Sequence, residues 1–215
     1  GTNVDIKLEL LQHTGAFKVR GAFNKLLNLD PERLERGVVA VSAGNHAQAV
    51  AYACRELGYP ALILMPENTP DNYLARTKHL GATVELFPSM NDAFAAAREY
   101  EAAGRIYVHP FDDADVIAGQ GTIGLEILED VPDVTDVVVS IGGGGLAAGV
   151  AAAVKAVRPE ANIWGVETRG AHSMAAALAA RATSSPASRR APTGRSPSAP
   201  KVGSGRVLRP RRPSG

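Results

Sequence analysis

Short apolar runs recur along this chain, each followed by a stretch with helical spacing. VVAV (38–41), ALILM (61–65), TVELF (83–87), RIYVH (105–109), DVVVSI (136–141) and NIWGVE (162–167) each have the length of one strand. Helical patterns lie between and after them: HAQAVAYACRELG closed by Gly58, Asp71 to Leu80 ended by Gly81, the alanine-rich 92–103, then 114–130, 146–157 and 171–180. Strands alternating with helices predict an α/β protein with mostly parallel sheet. Runs as continuously apolar as ALILM and DVVVSI predict sheets covered by helices on both faces. At the start, VDIKLEL (4–10) alternates apolar and polar residues and predicts a half-buried strand. A helix over about 17–29 follows, then a short one in DPERLERG, opened by Asp30–Pro31 and closed by Gly37.

Charge divides the chain. From Arg181 on there are nine basic residues and no acidic one, so residues 1–180 hold 14 of the 23 basic residues and all 22 acidic ones, a net −8. An acidic globular part argues against nucleic-acid binding. Residues 181–215 are almost entirely Ala, Arg, Gly, Pro and Ser, a composition that cannot bury enough apolar surface to order itself. Disorder is expected there. The charge of this tail admits a basic arm, but the abrupt change of composition points to a non-native end, such as an out-of-frame read. The lone cysteine, Cys54, falls in a helical pattern and reads as packing. No apolar run approaches the roughly 18 residues of a membrane span, and the N-terminus has no signal pattern. A cytoplasmic protein without a membrane partner is the expectation.

In open α/β sheets, ligands sit at the carboxyl ends of strands. Three motifs fall there, after 4–10, 38–41 and 136–141. The first, QHTGAFKVRGA (12–22), sets Lys18 among small and apolar residues. A lysine held there is partly desolvated, which favours the neutral amine, a nucleophile able to form an imine with an aldehyde. A surface lysine at a helix start remains the plain alternative. The second, Gly142 to Gly145, lies between an apolar strand and a helix, where backbone N–H groups can approach a phosphate. No lysine follows in the nucleotide P-loop pattern, so a phosphorylated cofactor anchored by backbone fits better. The third, SAGNHAQ (42–48), again offers N–H donors at a helix start, suited to a substrate carboxylate, and the Asn45 amide adds a donor. His46 has no second ligand at metal spacing. GQGTIG (119–124) matches G-x-G-x-x-G, but no strand precedes it and the dinucleotide context is missing.

These stretches, with HPFDDADVIAGQGTIGLEIL (109–128), occur in an order that resembles the fold-type-II pyridoxal-phosphate enzymes from about Val4 to Ala180. Within them the resemblance is to the threonine dehydratases (threonine ammonia-lyases) and serine dehydratases, enzymes of amino-acid metabolism that include the isoleucine-biosynthesis step. It implies a tryptophan-synthase-β-like fold of two lobes. Residues 1–39 and 116–180 would form a partial large cofactor-binding domain, and 40–115 a small mobile domain. It implies that Lys18 binds pyridoxal 5'-phosphate covalently, acts as general base and is the catalytic residue. Phe17 would pack beside the cofactor ring and Asn45 donate to its phenolic oxygen. Gly142, Gly143, Gly144, Gly145 and the Leu146 N–H would hold the phosphate. Ser42, Gly44, Asn45 and His46 would hold the carboxylate of L-threonine or L-serine, which leaves as a 2-oxo acid and ammonia.

Departures from the pattern matter. Serine racemases carry a second serine where Ala43 stands, and alanine cannot move a proton on that ring face. Relatives that bind Mg²⁺ or Ca²⁺ use an acid matching Glu167 and a later aspartate, near which this chain has Ser173, so Glu167 is a weak metal candidate. The family extends beyond this chain at both ends, and its later part carries a Ser or Cys for the pyridine nitrogen. A truncated chain is therefore expected. Other reactions of the family (β-replacement, threonine synthesis, racemisation) and an inactive fragment are the alternatives. The family is typically homo-oligomeric.

Overall fold

The computed structural model describes residues 3–184, with side chains to 181. In chain order the elements are α1 (Lys18–Leu27), α2 (Pro31–Leu34), β1 (Val38–Val41), α3 (Asn45–Leu57), β2 (Ala61–Pro66), α4 (Asp71–His79), β3 (Thr83–Phe87) and α5 (Met90–Ala102). There follow β4 (Ile106–Tyr107), α6 (Ala114–Asp130), β5 (Asp136–Ser140), α7 (Gly145–Val157), β6 (Asn162–Val166) and α8 (Ser173–Ser184). One compact unit runs to Ala177 and holds every strand; a second begins at Leu178, and its described residues are the remainder of α8.

Four parallel strands form a sheet in the order β3-β2-β1-β4. Its centre is apolar on both faces because successive side chains point to opposite sides. Val38 and Ala40 of β1, with Ile63 and Met65 of β2, join a core beneath α1 and α3. Val39, Val41, Leu62 and Leu64 join a second core against Ala93 and Ala97 of α5. Side-chain caps start α2, α5 and α6: Asp30 accepts the N–H of Glu32, Ser89 that of Asp92, and Asp113 those of Asp115 and Val116. Cys54 lies in the first core, fully buried, and burial pushes its thiol up to about 12.

The second sheet pairs β5 with β6, also parallel. Here the expectation of two covered faces fails for DVVVSI. Val137 and Val139 pack with Ile123, Val150 and Val154 under α6 and α7, while Val138 is 68% exposed. Trp164 and Val166 of β6 are open as well. The described helices cover only one side of this sheet.

VDIKLEL is not a strand. Residues 3–8 are irregular and Glu9–Leu11 is a single 3-10 turn. Among the described residues no strand pairs with the segment, and its apolar side chains stay open: Val4 is 79% and Ile6 75% exposed. Its polar residues anchor it instead. Lys7 pairs with Glu126 (2.8 Å) and Asp130 (3.1 Å) of α6. Glu9 takes a bidentate pair from Arg20 of α1, whose guanidinium also grips Glu126. The expected strand at 105–109 shrinks to Ile106–Tyr107, because β4 meets β1 over only two residues before the chain turns away. The last helix runs past 180 to Ser184, and the rest of the expected disordered tail lies outside the described residues.

The G-x-G-x-x-G match sits inside α6, where its glycines serve packing. A Cβ on Gly119 would come within 2.6 Å of the Arg20 carbonyl, and one on Gly121 within 3.0 Å of the Gly149 carbonyl. Small residues let α6 lie close against both α1 and α7.

Candidate functional site

Strand order locates the site. The chain steps from β1 to β2 to β3, then returns across the sheet to place β4 on the other side of β1. Loops leaving β1 and β4 therefore diverge, and the crevice between them is where α/β sheets bind ligands. Ser42–Gly44 follow β1, and Val108–Asp113 follow β4. His46, buried in the first turn of α3, bridges the two loops through Nε2 and the Val108 carbonyl (2.9 Å). Burial lowers its pKa to about 3, with the Lys18 charge acting the same way, so its ring is neutral.

Lys18 opens α1, half-buried, with Nζ donating to the Pro110 carbonyl at 2.5 Å and lying 5.3 Å from the Phe17 ring centre. Desolvation lowers its pKa from 10.5 to about 8. The glycine bend meets the same segment at Phe111. A Cβ on Gly143 would run into the Phe111 ring, and one on Gly145 would lie 2.8 Å from the Phe111 carbonyl. Gly144 has φ +90°, which a residue with a side chain rarely adopts, whereas a Cβ on Gly142 would meet nothing within 4 Å. Pro110–Phe111 thus joins the Lys18 amine to the bend. Phe17 and Leu146, at the starts of α1 and α7, pack against one apolar cluster.

Among the described residues the N–H groups at the bend are open to an anion in geometry. No side chain caps α7, whose bonding starts with the Ala148 N–H donating to the Gly144 carbonyl (2.9 Å). α3 is likewise uncapped, and its first bond runs from the Gln48 N–H to the Gly44 carbonyl at 3.4 Å. The Ser42 hydroxyl accepts the Gly44 N–H (3.1 Å), and Asn45 is exposed at the helix start. Open helix N-termini carry partial positive charge. A desolvated amine beside such donors, with open space over Gly142, fits a phosphorylated aldehyde.

Glu167 holds the start of α8 instead: its two oxygens accept the N–H groups of Met174 (2.8 Å) and Ala175 (2.9 Å). Among the described residues no group of three or more His, Cys, Asp or Glu could hold a metal ion, and no helix is long and apolar enough to cross a membrane. Reading the sequence did not single out Pro110, Phe111 or His109 as site residues. HPFDD was visible as a motif, but a backbone carbonyl carries no residue-type signal.

An amine and uncapped helix starts near the carboxyl ends of parallel strands make an α/β protein with a site suited to a small phosphorylated group. The model of the family described as pyridoxal-phosphate dependent enzyme matches residues 1–209, and the chain belongs to that family. It is 52% identical over 180 residues to an L-threonine ammonia-lyase of Thermotoga maritima, covering 83% of this chain and 45% of that protein. It is 49% identical over 175 residues to the catabolic L-threonine dehydratase TdcB of Escherichia coli, covering 80% of this chain and 53% of the relative. The fold is that of the fold-type-II members. The processed threonine deaminase isoform 2 of Solanum lycopersicum superposes with TM-score 0.78 at 44% identity, covering 81% of this chain and 49% of that one. A maize serine racemase gives TM-score 0.78 at 39% identity, covering 81% and 54%. The chain spans about half the length of the curated relatives it matches.

Proposed function

We propose that this chain carries the cofactor site of an ammonia-lyase that converts L-threonine or L-serine to a 2-oxo acid and ammonia. The observation that carries the reading is the convergence of the Lys18 amine and the Gly142–Gly145 bend on Pro110–Phe111. In this reading Lys18 holds the aldehyde carbon of pyridoxal phosphate, Phe17 lies beside its ring and Asn45 donates to its phenolic oxygen. The N–H groups of Gly142, Gly143, Gly144, Gly145 and Leu146 hold its phosphate. Ser42, Gly44, Asn45 and His46 orient the substrate carboxylate at the open end of α3.

When bound, the cofactor draws electrons from the substrate Cα and makes its hydrogen acidic. Lys18, with a pKa near 8, is tuned to take that proton close to neutral pH. Loss of the β-hydroxyl leaves an enamine that water converts to the 2-oxo acid and ammonia. Two observations favour a lyase over a racemase. The curated relatives at about half identity are named for ammonia loss from threonine. Ala43 also offers no proton on the opposite face of Cα. The same proposal assigns 1–39 and 116–180 to a cofactor-holding lobe, 40–115 to a smaller mobile lobe, and the protein to the cytoplasm.

The test is to add pyridoxal phosphate and L-threonine to the purified protein. The visible absorbance of bound cofactor should develop, vanish in Lys18→Ala, and be accompanied by 2-oxobutyrate. Absorbance without the keto acid would move the chain to another reaction of the family. Absorbance that survives Lys18→Ala would sink the reading.

A further inference from the structure

His109 sits just past β4, half-buried. Its ring lies edge-on to Phe111 (4.7 Å between centres) and Tyr107 (5.7 Å), and stacks on Phe94 at 6.4 Å. Its Nδ1 accepts the Asp112 N–H at 2.8 Å and the Phe111 N–H at 3.3 Å. An imidazole nitrogen accepts only when it bears no proton, so the ring is neutral with its hydrogen on Nε2. These two bonds close the turn whose Pro110 carbonyl meets Lys18 and whose Phe111 covers Gly143 and Gly145. We propose that His109 is a positioning residue: its neutral imidazole folds the 109–112 turn that aims the Pro110 carbonyl at the Lys18 amine and seats the glycine bend.

The inference deepens the proposed function and rests on its assignment of Lys18. It also makes the turn sensitive to acid. A proton on Nδ1 would replace an acceptor by a donor facing two N–H groups. Of the groups around the ring, Asp112 and Asp113 favour that proton, while burial, the largest influence, and Lys18 of α1 oppose it. Burial keeps His46 of α3 neutral, and the Tyr107 hydroxyl of β4, pushed up to about 12, stays uncharged. Phe94 of α5 carries no charge. The imidazole pKa lies below its ordinary 6.5. The turn is therefore closed at neutral pH and opens as pH falls through that lowered value.

Nitrogen-15 NMR of the uniformly labelled, cofactor-free protein tests the tautomer without a variant. Nδ1 should be unprotonated at neutral pH, and the Asp112 amide should shift as acid protonates the ring. His109→Asn leaves an acceptor near the place of Nδ1 but cannot titrate, whereas His109→Leu removes the acceptor. Pyridoxal phosphate should bind the Leu variant roughly fivefold or more weakly than wild type, as loss of two hydrogen bonds implies. The Asn variant should recover most of that loss, and its Asp112 amide should no longer follow a histidine titration. A protonated Nδ1, a Leu variant within fivefold of wild type, or an Asn variant no better than Leu would overturn the proposal. Equal borohydride trapping of cofactor in wild type and Lys18→Ala would instead overturn the Lys18 assignment, with the tautomer signal unchanged.

Discussion

Burial of Lys18 sets a cost as well as a chemistry. Its amine is charged in water at neutral pH, and the folded protein lowers its pKa from 10.5 to about 8 by desolvation. Below pH 8 both folded and unfolded chains hold the proton, so the full penalty, about 3 kcal/mol at most, weighs on the folded state. Between 8 and 10.5 the unfolded chain binds more protons, stability rises with pH, and above that window the penalty is gone. Lys18→Met, of similar length and without a charge, should stabilise the cofactor-free protein by about 1–3 kcal/mol at pH 7 in urea denaturation. The gain should shrink toward zero near pH 10.5; an equal gain at both pH values would contradict a desolvation origin. QHTGAFKVRGA made this lysine unusual on sight because its neighbours are small or apolar. That its amine meets the Pro110 carbonyl was beyond reach, since that contact joins residues 92 positions apart.

The helices divide by how they begin. Polar side chains cap α2, α5 and α6, whereas α1, α3 and α7, which border the candidate site, open without one. α4 also starts uncapped, after Pro70, so a missing cap alone does not mark a site. Glycines hold α6 and α7 together. A Cβ on Gly149 would come within 2.3 Å of the Ile117 carbonyl and 2.7 Å of the Gly121 nitrogen, both backbone atoms that cannot step aside. Gly149→Ala should therefore force the helices apart and lower stability by about 1–3 kcal/mol despite alanine's better helix propensity. Thermal unfolding reads this directly; an unchanged midpoint would show that the crossing has slack. Apolar runs such as VVAV and ALILM were legible because every side chain is buried whichever face it takes. VDIKLEL misled because alternation signals a strand only where a neighbouring strand accepts it.

At the scale of the whole molecule, the two sheets differ in cover. The centre of the four-stranded sheet is covered on both sides, and the β5–β6 sheet presents Val138, Trp164 and Val166 to solvent among the described residues. Trp164 is the chain's single tryptophan and is 56% exposed, its Nε1 donating to Asp136 at 2.8 Å. Its fluorescence should be red-shifted and readily quenched by acrylamide in the native protein, with little further change on unfolding. A blue-shifted, protected emission would mean that this face is covered in solution.

The amino-acid order alone marked most of the strands and helices, VDIKLEL excepted, and the residue types that carry chemistry, because side-chain periodicity and the needs of an amine or a phosphate are local. Tertiary structure alone decided which loops meet. By returning β4 to the side of β1, it set Val108–Phe111 between Lys18 and the glycine bend. Strand order is a property of the packed sheet, and no single segment encodes which neighbour it will find there.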